Sequence, residues 1–104
     1  MMPGSATDTI DNVLAEVSLR FDVSADQILS ASRASHVLMA RHIAVYLAHS
    51  LSGKTPAQIG TSFGGRDYTN VLMYIRGIER QCAGDEALKA LINDLEQAVR
   101  RRLH

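Results

Sequence analysis

Apolar residues recur along this chain at helical spacing. One set follows the i, i+3, i+4, i+7, i+11 pattern of a single helical face: Ile10, Val13, Leu14, Val17 and Phe21. A second set predicts a long helix from about residue 34 to 51 that buries Val37, Ala40, Ile43, Ala44, Leu47 and Leu51. No segment shows the period-two alternation of apolar and polar residues that is typical of a strand. The pattern therefore predicts an all-α fold.

Capping residues and glycines divide this pattern into six predicted helices. Two pairs of polar residues are spaced as capping boxes that open a short second and a short fourth helix, Ser24 with Gln27 and Thr55 with Gln58. Gly64 and Gly65 end the fourth helix, and Asp67 can then cap a fifth helix over residues 68–81. Asp85 begins a sixth helix that carries Leu88, Leu91, Ile92, Leu95, Val99 and Leu103 on its apolar face.

The composition fits one small globular domain. The chain has 104 residues, 46% of them hydrophobic, which at roughly 100–150 residues per domain predicts a single unit. We expect a flexible tail over residues 1–6 and a folded domain over residues 7–104. The apolar stretches are too short for a membrane span, the N-terminus lacks the features of a signal peptide, and the one cysteine excludes an internal disulfide. These features favour a cytoplasmic protein with no membrane partner.

Charge is segregated along the chain although it sums to zero. Residues 1–30 carry a net charge of −4 and residues 31–80 a net charge of +4, whereas residues 81–104 are balanced. A neutral protein can thus present a basic face, and local potential attracts a phosphate backbone better than net charge does. Ordinary solvated surfaces also cluster charge, so this pattern permits a polyanionic partner without requiring one.

The fourth and fifth predicted helices have the pattern of a helix-turn-helix. In that motif the second helix enters the major groove and its first turn meets the edges of the bases. The side chains placed there are Arg66, Asp67, Tyr68, Thr69 and Asn70. Aspartate can accept a hydrogen bond from cytosine, asparagine can pair with adenine, and the threonine methyl can contact thymine. Two helices joined by a turn are also a common packing device, so the pattern alone leaves both interpretations open.

The same segment carries a family resemblance. The motif Ile59-Gly60-x-x-Phe63-Gly64-Gly65-Arg66-Asp67-Tyr68-Thr69-Asn70-Val71-Leu72 resembles the signature of the C-terminal DNA-binding domain of the bacterial replication initiator DnaA. The upstream segment Ala40-Arg41-His42-Ile43-Ala44-Val45-Tyr46-Leu47 resembles the central helix of that family. The resemblance covers roughly residues 9–95. It implies an all-α, six-helix domain of the Trp-repressor/DnaA domain IV type, with double-stranded DNA as its partner.

The resemblance also implies which residues read bases. The family reads its DNA with the start of the fifth helix, which places Asp67, Tyr68, Thr69 and Asn70 in the major groove. It inserts an arginine from the loop before the third helix into the adjacent minor groove, and Arg33 matches that arginine. The family usually has histidine at position 68 and a second threonine at position 70. Both replacements fall on positions that read bases, so the family's usual recognition sequence is not assumed for this chain.

Contacts to the DNA backbone are implied next to this surface. Arg41 matches a phosphate-contacting arginine of the family, and the other expected contacts are His42, His49, Lys54, Pro56, Ala57 and Arg66. Pro56 and Ala57 are expected to touch sugars or thymine methyl groups. The loop around Arg33 has alanine and serine where the family often has lysine or arginine, so fewer phosphate contacts and weaker binding are expected there.

The remaining candidate residues indicate neither a metal site nor a nucleotide-binding loop. His42 and His49 are about 10 Å apart along a helix, too far for one zinc ion, so no metal is expected. Gly64-Gly65-Arg66 is not a nucleotide loop because no strand precedes it. No cofactor or nucleotide is therefore expected, and an enzyme is the least favoured function. Met39 and Met73 are assigned to the core because of their helical spacing.

Together these features favour a DNA-binding protein that is not an enzyme. The family's full-length initiators carry an ATPase domain ahead of this module, and an isolated reader cannot open an origin. We therefore expect a small transcriptional regulator associated with the nucleoid, such as an activator of phage-like gene transfer agent genes. A partner protein would link it to RNA polymerase or to the replication machinery. Two alternatives stay open: an accessory replication factor that binds initiator boxes at origins, and a protein–protein adaptor that has lost DNA binding.

Overall fold

Six helices form the described part of the protein. The computed structural model describes residues 6–103, with side chains from Thr9 onward. The helices are α1 (Ala6–Phe21), α2 (Ala25–Leu29), α3 (Ser35–Ser52), α4 (Pro56–Ser62), α5 (Tyr68–Ala83) and α6 (Glu86–Arg102). No strand occurs within residues 6–103. The all-α, six-helix prediction is confirmed, and the predicted tail lies, apart from Ala6, outside the described residues.

Both capping boxes form as the sequence predicts. In α2 the Ser24 hydroxyl accepts from the Gln27 N–H at 3.0 Å, and the Gln27 side-chain oxygen accepts from the Ser24 N–H at 2.9 Å. In α4 the reciprocal distances between Thr55 and Gln58 are 3.2 and 2.9 Å. Each box satisfies two backbone donors that a helix start would otherwise leave without a partner. These caps fix where the two short helices begin.

The third helix lies at the centre of the domain. It packs against α1, α2, α4, α5 and α6. Its buried residues include most of the predicted face and extend beyond it to Val45 and Ala48, while Leu51 is only half-buried. A helix enclosed on several sides buries more than one stripe of residues. The predicted single face was therefore too narrow.

The last two helices leave one surface uncovered. The face of α5 that carries Val71, Ile75 and Ile78 is buried, and α5 packs against α3, α4 and α6. Of the apolar set predicted for α6, Ile92, Leu95 and Val99 are buried. The other three members are half-buried against the core: Leu88, Leu91 and Leu103, the last of which follows the helix. The opposite side of α5 and its whole first turn face solvent, and this surface holds the candidate site.

Candidate nucleic-acid interface

The first turn of α5 presents a row of exposed polar side chains. Asp67, Tyr68, Thr69 and Asn70 are all exposed, and the core begins only at Val71. Asp67 caps the helix through its carboxylate, which accepts from the Thr69 N–H at 3.4 Å. This bond is long, and the second carboxylate oxygen has no partner among residues 9–103. The row can therefore offer hydrogen-bond donors and acceptors to a ligand without disrupting the core.

The angle between α4 and α5 is fixed by a close backbone contact. The Arg66 N–H donates to the Gly60 carbonyl at 2.8 Å. A Cβ added at Gly60 would lie 2.1 Å from the Arg66 carbonyl oxygen, so only glycine fits where the turn crosses α4. Gly64 and Gly65 then adopt positive φ angles of 82° and 77°, which lets the chain turn within the five residues that separate α4 from α5. The turn thus sets the position of the exposed first turn of α5.

The predicted minor-groove residue lies on the neighbouring loop. Arg33 is exposed between α2 and α3 and forms no ion pair within the described part of the chain. Serine side chains brace this loop: the Ser30 hydroxyl accepts from the Ser32 N–H at 3.1 Å, and the Ser32 hydroxyl accepts from the Ala34 N–H at 3.3 Å. Such serine turns hold a short loop without secondary structure. Arg33 is thus a solvent-facing cation on a braced loop.

The Arg41 side chain is buried and donates hydrogen bonds within the protein. Only 2% of the residue is exposed. Its Nε donates to the Ile28 carbonyl at 2.7 Å, and a terminal nitrogen donates to the Gln27 carbonyl at 3.2 Å. Burial, reinforced by the charges of Arg66 and Arg33, lowers the pKa of this guanidinium from its ordinary value. Two of its nitrogens thus donate inward to the end of α2, and the phosphate contact expected at Arg41 stays a prediction.

The Arg66 guanidinium also donates hydrogen bonds to backbone carbonyls of the protein. One of its terminal nitrogens donates to the carbonyls of Leu29, at 3.3 Å, and Phe63, and the other donates to the Ser30 carbonyl. The side chain is half-buried. Three of its five N–H donors are used by these carbonyls, and its expected role at the DNA backbone stays a prediction.

The two arginines together join the elements that carry the exposed residues. Their guanidinium groups donate to four successive backbone carbonyls, those of Gln27, Ile28, Leu29 and Ser30. We name this set of contacts the arginine clamp. It satisfies carbonyls at the end of α2, of which the Gln27 carbonyl also accepts from the N–H of the cap residue Ser30. Because Ser30 begins the loop that carries Arg33, the clamp ties that loop to the turn before α5.

His42 stacks on an aromatic ring of α5. The ring centroids of His42 and Tyr74 are 4.2 Å apart and the ring planes meet at 21°. Burial, together with the positive charges of Arg41 and Arg66, lowers the pKa of His42 below its ordinary value of 6.5. A half-buried, neutral imidazole stacked between α3 and α5 is a packing group. The contact with the DNA backbone expected at His42 stays a prediction.

The other residues that are expected to contact the DNA backbone lie between the end of α3 and the start of α4. Ala57 is exposed, whereas His49, Lys54 and Pro56 are half-buried. The Lys54 N–H donates to the Ser52 hydroxyl at 3.1 Å, and its ammonium forms no ion pair within residues 9–103. These four residues keep their expected roles as predictions.

Sequence reasoning missed a residue on the outer face of α5. Met73 was assigned to the core, but 62% of it is exposed. The buried residues of this helix are Val71, Ile75 and Ile78. Position 73 is two residues from Val71, which at 100° per residue is the opposite side of the helix. That angular offset was the signal that could have placed it correctly. Met39, by contrast, packs against the core as predicted.

Other kinds of site find little support among the described residues. Within residues 9–103 no three histidine, cysteine, aspartate or glutamate side chains are grouped as metal ligands would be. None of the helices in residues 6–103 has the length and apolar character needed to cross a bilayer. Cys82 is half-buried, and burial raises the pKa of its thiol, which disfavours the reactive thiolate.

Comparison with known proteins gives a consistent result. The profile of the bacterial dnaA protein helix-turn-helix matches residues 10–78. The chromosomal replication initiator protein DnaA of Bradyrhizobium sp. strain BTAi1 is 36% identical over 94 residues, which is 90% of this chain and 19% of that protein. The protein of the same name from Mycoplasma capricolum is 37% identical over 83 residues, covering 80% of this chain and 18% of that protein. The protein from Citrifermentans bemidjiense is 28% identical over 91 residues, 88% of this chain and 20% of its own length. The chain thus spans about one fifth of the length of these relatives.

Proposed function

This chain belongs to the family of the bacterial DnaA helix-turn-helix, and on that premise we propose that it binds double-stranded DNA in a sequence-specific manner. The observation that carries the proposal is the uncovered first turn of α5, where four successive polar side chains face solvent on a helix whose angle is fixed by the Gly60–Arg66 contact. A helix presented in this way fits the major groove, where base edges differ in their donors and acceptors.

Each exposed residue has a proposed role in reading bases. Asp67 accepts from a cytosine amine, Asn70 pairs with adenine, and the Thr69 methyl contacts a thymine methyl. Tyr68, with 49% of its surface exposed, offers both a ring face and a hydroxyl. Because tyrosine and asparagine replace the histidine and threonine usual in the family, the preferred sequence differs from the usual initiator box.

Arg33 is proposed to enter the adjacent minor groove. A narrow minor groove has enhanced negative potential, which attracts an arginine that has no competing partner. The arginine clamp supports this assignment because it ties the Arg33 loop to the turn before α5. Contacts to the DNA backbone are proposed for Arg41, His42, His49, Lys54, Pro56, Ala57 and Arg66. Among these, Arg41 and Arg66 also donate to carbonyls within the protein.

We propose transcriptional regulation as the use of this binding, for example activation of phage-like gene transfer agent genes. The altered residues at positions 68 and 70 support it, since they direct the protein to sequences other than initiator boxes. A partner protein would supply contacts to RNA polymerase. The second candidate is an accessory replication factor at origins, favoured by the relatives, which are named chromosomal replication initiators.

The test combines selection of a duplex with variants of the reading residues. A preferred duplex is selected from random sequences with the 104-residue chain, and its affinity is measured for the wild type, Arg33→Ala and Thr69→Ala. Each variant is expected to lose about 1–3 kcal/mol of binding free energy on that duplex. Arg20→Ala removes the same charge as Arg33→Ala from an exposed position of α1 and is expected to bind like the wild type.

The outcomes separate the candidate functions. Failure to bind any duplex even at low salt would contradict the proposal and favour a protein–protein adaptor. Chromatin occupancy in the host then distinguishes the uses of a binding protein: peaks at promoters support regulation, and peaks at the replication origin support the replication factor.

A further inference from the structure

One stripe of side chains on α5 continues outward from the proposed reading turn. Thr69, Met73, Arg76 and Arg80 lie at i, i+4, i+7 and i+11, and with Leu72 they line one shallow groove on the outer face of the helix. All of them except Leu72 are exposed. The stripe is therefore a single surface that joins the first turn of α5 to its C-terminal half.

Met73 is an unusual residue for an exposed helical position. Its exposed fraction of 62% is exceeded among large apolar residues of the described chain only by the 73% of Leu19 on α1. Exposing a methionine costs hydrophobic free energy unless something covers it, and a flexible thioether side chain adapts to irregular apolar surfaces. The residue therefore fits a partner that offers a small apolar group.

The charges beside Met73 indicate the class of partner. Arg76 and Arg80 form no ion pair within residues 9–103, so both guanidinium groups are available. Met73 thus lies between a threonine on one side and two arginines that form no ion pair within residues 9–103 on the other. Such a surface is complementary to the wall of a major groove. There thymine methyl groups are the apolar features and phosphates lie at the rim.

The helical rise places Met73 at a definite distance from Thr69. Four residues advance about 6 Å along the axis at 1.5 Å per residue, which is just under two base steps at about 3.4 Å each. Arg76 and Arg80 lie roughly 10 and 16 Å from Thr69 on the same scale, far enough for the helix to have left the bases and reached the backbone.

We propose that Met73 is a specificity-determining residue that contacts the C5 methyl group of a thymine about two base steps from the base read by Thr69, while Arg76 and Arg80 bind the phosphates beyond it. This inference rests on the proposed function, because it assigns further contacts to the same DNA complex. It extends the reading surface from the first turn of α5 to its second turn.

The experiment removes one methyl group at a time from the DNA. In the selected duplex each thymine is replaced in turn by deoxyuridine, which lacks only the C5 methyl, and affinities are measured for the wild type, Met73→Ala, Met73→Leu and Leu19→Ala. Alanine and leucine are strong helix formers, so the variants at this exposed position are expected to fold, which thermal unfolding checks. Leu19→Ala is the matched control, since it truncates an equally exposed apolar side chain outside the stripe.

At one thymine, loss of the C5 methyl group is expected to reduce the affinity only when Met73 is present. Loss of that methyl weakens wild-type binding by about fourfold, the effect of one buried methyl-sized group, and leaves the affinity of Met73→Ala unchanged. Met73→Leu retains the sensitivity, and Leu19→Ala behaves as the wild type. The thymine read by Thr69 stays sensitive in Met73→Ala, which serves as an internal control. Arg76→Gln and Arg80→Gln each reduce the log-salt slope by about 0.9.

Two results overturn the inference in distinguishable ways. If the duplex is bound selectively but every deoxyuridine substitution affects the wild type and Met73→Ala equally, Met73 reads no methyl and the proposed function stands. If no duplex is bound selectively, the inference and the proposed function fail together.

Discussion

Replacing Arg41 by methionine tests which of two roles this side chain has: contact with a DNA phosphate, or donation to carbonyls as part of the arginine clamp. Methionine keeps most of the length of the buried side chain and removes its donors. If Arg41 contacts DNA, the variant folds normally and loses one phosphate contact. If Arg41 acts through the arginine clamp, the variant loses stability, because the Ile28 carbonyl has no other hydrogen-bond partner within residues 9–103.

The expected loss of stability follows from the two carbonyls involved. The Gln27 carbonyl retains the Ser30 N–H at 3.1 Å and the Ser30 hydroxyl at 2.7 Å, so its loss of Arg41 is partly compensated. The Ile28 carbonyl is left without a donor beside a fully buried side chain. An unsatisfied buried acceptor costs about 1–3 kcal/mol, and we expect a net loss of roughly 2 kcal/mol. For a domain of this size that corresponds to a fall of about 8–16 °C in Tm.

The assay measures both properties on the same variants. Urea denaturation gives the free energy of unfolding, and the affinity for the selected duplex at several salt concentrations gives the log-salt slope. Arg76→Met is the matched control, since that side chain is exposed and makes no ion pair within residues 9–103. It is expected to keep its stability and lose about 0.9 of slope. An Arg41→Met variant with wild-type stability and a reduced slope would refute the clamp.

Two further predictions test the turn and the stacked histidine. Gly60→Ala is expected to lower the free energy of unfolding by about 1–3 kcal/mol, because its Cβ would meet the Arg66 carbonyl at 2.1 Å. The control Gly77→Ala, whose Cβ would meet only Arg80 at 4.0 Å, should raise it by about 1 kcal/mol; equal effects of the two would contradict the steric argument. The lowered pKa of His42 means that the unfolded state binds a proton more readily, so stability is full above about pH 6.5 and falls on acidification through that value. Urea denaturation at about pH 7.5 and 5.5 should show this fall, and His42→Phe, which keeps a ring against Tyr74, should make it shallower; an unchanged pH dependence would count against the burial of a neutral His42.

Local sequence patterns were sufficient to predict the helices of this protein and the exposed residues at the start of α5. Helix periodicity, the two capping boxes and the paired glycines before Asp67 act over one to four residues, so they can be read from neighbouring positions. The exposure of Asp67, Tyr68, Thr69 and Asn70 follows from the same local pattern, because the buried face of α5 begins at Val71.

The internal hydrogen bonds of the arginines, by contrast, depend on how the helices pack. Arg41 and Arg66 have the composition of phosphate ligands, yet their acceptors are carbonyls 13 and 37 residues away in the chain, at the end of a helix that packs beside them. A guanidinium can donate to backbone carbonyls as well as to phosphates, and which carbonyls lie within its reach depends on how the helices pack. The burial of Val45 and Ala48 on the second side of α3 was likewise set by the helices around it, since the number of neighbours of a helix is a property of the assembled core.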